Sequence, residues 1–267
     1  MQHSKSFNFI DTAQLYGKSQ GKPIEMYSDD SIKSSLDTAN SELAFLSEEV
    51  RSIRLDAPSW LPFAAEQYNI SRDMRDYVIV PVIILPSDIP NRNMVAFPFL
   101  ELSKFNVSAG MITYMTWKGK PTFLEHANRD PQQARGVVFD VTMRSMSRSN
   151  GISKVIALCG FDRSKDPELV DMIINGQREY YSMGALIGLY SCSVCGEYSQ
   201  PKRDPKELMC GKNHIDLKSG RFKTFNVPEG NVLGHYNAHN ITGFEVSSVS
   251  WPAWPSAYTG IDQHIKV

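Results

Sequence analysis

Three short segments carry side chains that could perform hydrolytic chemistry. Residues 119–126 end in His126, residues 175–184 place Ser182 two positions before Gly184, and residues 244–257 begin Phe-Glu-Val-Ser, with Glu245 as the acid. A serine hydroxyl becomes a strong nucleophile when an imidazole removes its proton and a third group fixes the tautomer of that imidazole. Each segment is a weak signal by itself, because single histidines and Ser-x-Gly sequences are common.

A second group of residues has the spacing of metal ligands. Cys192-x2-Cys195 is followed by Cys210-x3-His214, with Pro201 and Pro205 in the polar stretch between the pairs. Zinc prefers tetrahedral thiolate and imidazole ligands, and a site with four protein ligands is structural because no coordination position is open. The spacing therefore predicts a structural zinc ion and excludes zinc-dependent hydrolysis. The alternative is three reduced cysteines that happen to be close in sequence.

Composition narrows the class of protein. Apolar residues make up 42% and charged residues 21% of the 267 residues, and the formal net charge is -1. These values are typical of a globular chain and give no electrostatic case for nucleic acid or an anionic membrane as a direct partner. The longest apolar run, residues 77–85, is too short to span a bilayer, and the first residues lack a signal-peptide core. We expect synthesis in a cytoplasm, and we expect Cys159 to be a buried small hydrophobe.

The elements that must position these residues are mostly strands. Runs rich in β-branched residues predict strands over residues 77–85, 94–102, 111–117, 134–143, 154–161, 180–190 and 243–251. Pro81 predicts an edge or a bulge. Asp166 as N-cap, Pro167 and Gly176 predict one clear helix, and apolar spacing predicts another over residues 30–53. The expected fold is α+β, with a mostly antiparallel, barrel-like β core surrounded by helices.

The order of the motifs resembles a known family. A histidine, then Asp-Pro-x-Leu, Asn-Gly and Tyr-Ser-Met-Gly, then Phe-Glu-Val-Ser-x-Val-x-x-Pro-Ala-x-Pro-x-Ala is similar to the prohead (head maturation) serine proteases of tailed bacteriophages. That family is related in fold to the herpesvirus assemblins. The resemblance covers roughly residues 76–260, and the last motif is its most specific part.

The resemblance implies roles for individual residues. Ser182 matches the nucleophile of the family, His126 matches the general base, and Glu245 lines up with the third member. Asp140, Asp162 and Asp204 compete with Glu245 for that third role. Large-phage members often carry a cysteine and histidine insertion soon after the nucleophile, which agrees with the predicted zinc site. Members of the myophage kind tend to cut after glutamate, which implies an acidic preference here.

The resemblance also implies a domain organisation. Residues 1–75 would form a partly helical N-terminal appendage, residues 76–260 the protease domain with a zinc-binding insertion at residues 191–216, and residues 261–267 a C-terminal tail. The implied function is a maturation endopeptidase inside the phage prohead, in the host cytoplasm, that cuts scaffold and major capsid proteins and possibly itself. Self-association in the prohead core is expected. The alternatives are a catalytically silent head protein with a protease-like fold and a zinc-ribbon binding module.

Overall fold

The computed structural model describes residues 57–145, 152–201, 210–216, 222–228 and 230–254, and the backbone of residues 265–266. The helix predicted over residues 30–53 lies outside these ranges.

The strands are β1 Tyr77–Pro86, β2 Val95–Ala96, β3 Phe105–Asn106, β4 Met111–Ile112, β5 Pro121–Leu124, β6 Gly136–Ser145, β7 Ser153–Asp162, β8 Tyr181–Cys192, β9 Tyr198–Ser199, β10 Thr224–Val227, β11 Gly230–Leu233, β12 Tyr236–Ser248 and β13 Ile265–Lys266. The α-helices are α1 Leu61–Tyr68, α2 Phe99–Ser103 and α3 Pro167–Ile174, and short 3-10 helices cover Met74–Asp76, Thr113–Trp117 and Pro131–Gln133.

One mixed sheet dominates the described part of the chain. Its order is β13-β1-β7-β6-β5-β12-β8-β9, and β2 also pairs with β12. The predicted α+β fold with a mostly antiparallel core is confirmed, although β5 and β2 run parallel to β12. The core predicted as barrel-like is not a closed barrel within the described residues, because no hydrogen-bonded ladder joins β1 to β8. The edge of β1 instead pairs with β13, and the end of β8 pairs with β9.

Two clusters of buried hydrophobic side chains pack against the sheet. The main core contains the large side chains Trp117, Phe161, Tyr181 and Trp254, and α3 packs against it. In the second cluster, α1 packs on aromatic side chains of β1, β5 and β6. Residues 57–75, which the sequence assigns to an appendage, therefore contribute to the packing of the sheet. No helix of the described ranges is long and apolar enough to cross a membrane.

Several local predictions are confirmed. The helix α3 begins at Pro167, and its cap Asp166 accepts a hydrogen bond from the Leu169 amide at 3.0 Å. The strands predicted at 77–85, 134–143, 154–161 and 180–190 correspond to β1, β6, β7 and β8. Pro81 pairs with Leu158 of β7, and β13 pairs with β1 at Val78 and Ile79, so within the described residues the other side of β1 has no strand partner at Pro81, which agrees with the predicted edge position.

Two predicted strands are mostly wrong. Residues 94–102 form only the short β2 before the chain turns into α2, where the Asp88 carboxylate accepts a hydrogen bond from the Phe99 amide at 3.0 Å. Residues 111–117 form β4 and then a 3-10 helix, in which the Thr116 hydroxyl donates to the Thr113 carbonyl at 2.7 Å. In both places side-chain hydrogen bonds to the backbone compete with strand formation, which β-propensity alone does not capture.

The register of β8 on β12 sets the positions of the candidate site residues. Ser182 lies opposite Ser247, and Gly184 lies opposite Glu245. The parallel strand β5 runs beside the same end of β12 and stops at Leu124. The ends of β5 and β12 and the start of β8, which are distant in sequence, therefore meet at one corner of the sheet.

Candidate active site and candidate metal centre

The candidate nucleophile and the candidate acid lie on adjacent strands. Ser182 on β8 and Ser247 on β12 are directly paired, and residues opposed in this way have Cβ atoms about 4.5–5.5 Å apart on the same face. Glu245 is two residues from Ser247 on the same strand and therefore shares that face. Ser182 is buried but retains 6% of its exposure, whereas Glu245 retains none.

His126 lies in a turn with an uncommon backbone conformation. The Ala127 amide donates to the Leu124 carbonyl at 3.0 Å across the turn. The two central residues, Glu125 and His126, have φ values of 50° and 56°. Left-handed conformations are uncommon for residues other than glycine and cluster at functional sites, where surrounding contacts maintain them.

The contacts that maintain this turn involve the side chain of Glu125. Its carboxylate accepts hydrogen bonds from the Ser250 amide at 2.9 Å and from the Arg178 guanidinium at 2.6 Å. The Glu125 amide donates to the Ser248 carbonyl at 2.9 Å. Burial alone would raise the pKa of Glu125, but the hydrogen bonds from Ser250 and Arg178 outweigh it and lower that pKa. An ionised Glu125 thus holds His126 against the end of β12.

A direct contact of the site joins His126 to Glu245. The Nδ1 atom of His126 lies 2.8 Å from Oε1 of Glu245, and the Ser247 hydroxyl donates to Oε2 at 2.5 Å. The hydrogen bond to Glu245 is the main cause of a raised pKa of His126, and burial opposes it. Gly184 makes room for this carboxylate, because a Cβ atom there would lie 2.5 Å from Oε1. The carboxylate therefore fixes the ring with Nε2 pointing away from it.

His126 and Ser182 line one cavity of about 200 Å³. Among the described residues, neither the Nε2 atom of His126 nor the hydroxyl of Ser182 has a hydrogen-bond partner. Catalytic hydrogen bonds are often long in ligand-free structures and tighten when a substrate binds. The arrangement can supply a nucleophile, a base and an orienting acid in the order that acyl transfer requires.

The competing acids occupy other positions. Asp140 forms an exposed ion pair with Lys118 at 2.9 Å. Asp162 is fully buried and accepts hydrogen bonds from the Ser71 amide at 2.6 Å and from Ser164. Asp204 lies outside the described residues. Within the described ranges, Glu245 is the carboxylate that contacts Nδ1 of His126.

Sequence reasoning missed Ser247, Glu125 and Arg178. Ser247 could have been found from the alternation of strand side chains, because positions 245 and 247 must face the same way. Glu125 and Arg178 gave no such signal, since their ion pair depends on how the turn after β5 meets the segment after α3. The role of Gly184, which leaves space for the side chain of Glu245, was missed as well.

A second serine, histidine and glutamate are also connected. The Ser191 hydroxyl lies 2.7 Å from Nε2 of His239, and Nδ1 of His239 lies 3.2 Å from Glu101. Glu101 also forms an ion pair with Lys104 at 2.7 Å. Ser191 lies within the sheet between β9 and β12, and it does not line the cavity described above. This network ties α2, through Glu101, to the sheet.

The predicted metal ligands come together. The ligand atoms of Cys192, Cys195, Cys210 and His214 all lie within 4.8 Å of one another, and this cluster could hold a metal ion. The separations are 3.6 Å between the sulfurs of Cys195 and Cys210 and 3.5 Å and 3.7 Å from Nδ1 of His214 to the sulfurs of Cys210 and Cys192. A tetrahedron with zinc bond lengths has edges of about 3.8 Å between sulfurs and about 3.6 Å between sulfur and nitrogen. The geometry is compatible with zinc.

The backbone around the first cysteine pair has the form of a tight turn. The Gly196 amide donates to the Cys192 carbonyl at 2.9 Å, and the Cys192 amide donates to the Glu197 carbonyl at 2.9 Å. Gly196 has a φ of 71°, which glycine adopts without strain. Cys192 is the last residue of β8, about 33 Å along the strand from Ser182 at about 3.3 Å per residue. That distance separates the candidate metal centre from the candidate active site.

Comparisons with protein-family models, with curated proteins and with solved structures found no match to this chain.

Replacing Glu245 with glutamine is expected to lower the pKa of His126. Glutamine fills similar space but carries no charge, so the cause that raises this pKa is removed while burial continues to lower it. NMR titration of the His126 ring measures the change, and Glu101→Gln, which contacts His239, is the matched control. An unchanged His126 pKa in Glu245→Gln would show that the carboxylate does not stabilise the imidazolium.

Proposed function

We propose that this protein is a serine endopeptidase of the prohead maturation type, with Ser182 as nucleophile, His126 as general base and Glu245 as the orienting acid. The observation that carries the proposal is the contact of 2.8 Å between His126 and the buried Glu245, with Ser182 lining the same cavity as the ring. A serine, a histidine and an acid so arranged are recognised by geometry and roles rather than by order in the chain.

The proposed reaction proceeds in two steps. Nε2 of His126 removes the proton of Ser182 as its oxygen attacks the scissile carbonyl, and the proton is then given to the leaving amine. Water then attacks the acyl group on Ser182 as His126 takes its proton, and His126 returns that proton to the Ser182 oxygen when the acid product leaves. Glu245 stabilises the imidazolium formed in each step, and the hydrogen bond from Ser247 keeps its carboxylate in place. Because the base must be neutral, activity is expected to fall as the pH drops through the raised pKa of His126.

Burial of the acid favours an enzyme over a catalytically silent head protein. Glu245 has no exposed surface, and its two oxygens are used by His126 and Ser247. Burying a carboxylate is costly unless it is fully paired, and such costs are concentrated at functional sites. A silent protein would have no use for this charge beneath an open cavity. The same observation favours catalysis over a zinc-ribbon binding module.

The substrates proposed are the scaffold and major capsid proteins of a tailed phage, and possibly the chain itself. This part rests on the resemblance of the motifs around His126, Ser182 and Glu245 to the prohead proteases. It places the protein inside the prohead in the host cytoplasm, where self-association would concentrate it with its substrates.

Ser182→Ala is expected to abolish cleavage of co-expressed scaffold and capsid proteins, by at least about 10³-fold in rate, because the nucleophile is lost. Ser191→Ala is the matched control, since it removes a serine that contacts His239 but lies outside the cavity. Mass spectrometry of the products gives the cleavage sites. Cuts that persist in Ser182→Ala and vanish in Ser191→Ala would reverse the assignment, and intact substrates with folded wild-type protein would favour the silent head protein.

We propose that the candidate metal centre binds one structural zinc ion through Cys192, Cys195, Cys210 and His214. Four protein ligands leave no open position, so the metal would order the chain between β8 and β12 rather than act on a substrate. The polar segment between the cysteine pairs has few apolar residues of its own, and metal binding supplies folding free energy in such segments.

Purified wild-type protein is expected to contain about one zinc per chain and to lose thermal stability with a chelator. Cys192→Ser should lower the zinc content, whereas Cys159→Ala should retain it, because Cys159 is buried in the main core away from the cluster. Elemental analysis and thermal unfolding measure both effects. A metal-free wild type that is insensitive to chelators would contradict the zinc site.

A further inference from the structure

The cavity beside Ser182 and His126 has walls of defined chemistry. On one side it follows β8 through Met183, Ala185 and Ile187. On the other side it is bounded by apolar and amide side chains: Asn91, Asn93, Val95, Phe97, Ala253 and Trp254. No lysine, arginine, aspartate or glutamate belongs to the described residues that line it. Its volume of about 200 Å³ is below the roughly 300 Å³ at which small-molecule pockets begin, so it suits a single side chain.

The far wall of the cavity is held in place by contacts within the protein. The rings of Phe97 and Trp254 pack edge to face with centroids 5.4 Å apart, and the Trp254 indole donates to the Ile89 carbonyl at 3.2 Å. The Asn91 side chain accepts hydrogen bonds from the Asn93 and Val95 amides at 2.9 Å and 3.1 Å. A preformed wall of this kind selects side chains by shape and polarity without an ordering cost.

Two arginines neighbour the cavity-lining residues but do not line the cavity themselves, and Nε of Arg92 has no hydrogen-bond partner within the described residues. Arg92 lies between Asn91 and Asn93, but its guanidinium stacks on Trp251 at 4.2 Å and donates to the Pro252 carbonyl at 2.7 Å. Arg178 is paired with Glu125. In the active form, with His126 neutral, an acidic side chain that entered the cavity would lose its hydration and contact no cationic side chain among the described residues that line it, which disfavours it.

We propose that this cavity binds an uncharged apolar side chain, of the size of leucine or methionine, next to the scissile bond of the substrate. The inference rests on the proposed endopeptidase function, because the position next to the scissile bond follows from the place of Ser182 and His126 at the cavity. It differs from the acidic preference that the family resemblance implies.

The test is a peptide library cleaved by the full chain, with Ser182→Ala as the blank and with the residues on both sides of each cut read by mass spectrometry. Sites with leucine or methionine beside the cut are expected to have a kcat/KM at least about 100-fold above otherwise identical peptides with glutamate or lysine there. Ser182-dependent cuts flanked by charged or mixed residues would overturn the specificity and leave the proposed function standing. Absence of any Ser182-dependent cut would overturn both.

A pair of variants tests whether this cavity is the one used. Ala185→Trp should fill the cavity and lower kcat/KM for leucine peptides by at least about 10-fold, whereas Leu186→Trp should not. Leu186 is the neighbouring residue of β8, is 63% exposed and does not line the cavity. Equal activity of both variants on leucine peptides would place the bound side chain elsewhere. Circular dichroism checks the fold of each variant, and the wild-type library is informative without them.

Discussion

The hydrogen bond between the buried carboxylate of Glu245 and Nδ1 of His126 is the interaction on which the rest of the site depends. A carboxyl group without exposed surface is tolerated when its oxygens are paired, and here one contacts His126 and the other accepts from Ser247. Gly184 must lack a side chain for the carboxylate to fit. The turn that carries His126 must adopt a left-handed conformation for the ring to reach it. Each of these features would be unexplained without the pair.

The long strand β8 connects the two candidate sites of the molecule. Ser182 is the second residue of β8, at one end of the ladder with β12. Cys192 is the last residue of β8 and belongs to the candidate metal centre. A metal ion there would anchor the far end of β8 and the start of β12, whose first residue Tyr236 pairs with Cys192. Such an anchor would fix the register at the Cys192 end of the ladder, and a bulge between Gly243 and Glu245 separates that part from the pairing of Ser182 with Ser247.

The sequence predicted what depends on local chemistry. Asp166, Pro167 and Gly176 predicted α3, the spacing of the cysteines and His214 predicted a cluster that the structure assembles, and the order of the motifs selected His126, Ser182 and Glu245. It could not predict that β5 runs parallel to β12, although this pairing is what brings His126 to Glu245. Nor could it separate Glu245 from Asp140 and Asp162, since only the pairing of strands decides which carboxylate faces the ring. Residues 94–102 were predicted as a strand because of their apolar content. Nothing in the sequence indicates that the distant Asp88 carboxylate accepts a hydrogen bond from the Phe99 amide at the start of α2.

The central claim is that Ser182 is activated by His126, and covalent labelling with a fluorophosphonate tests it most directly. These reagents react with serines whose proton is removed by an adjacent base. Peptide mapping of the labelled wild-type protein is predicted to find one adduct, on Ser182, that is lost in His126→Ala and retained in His239→Ala. Labelling of Ser191, or no labelling of the folded wild-type protein, would contradict the account.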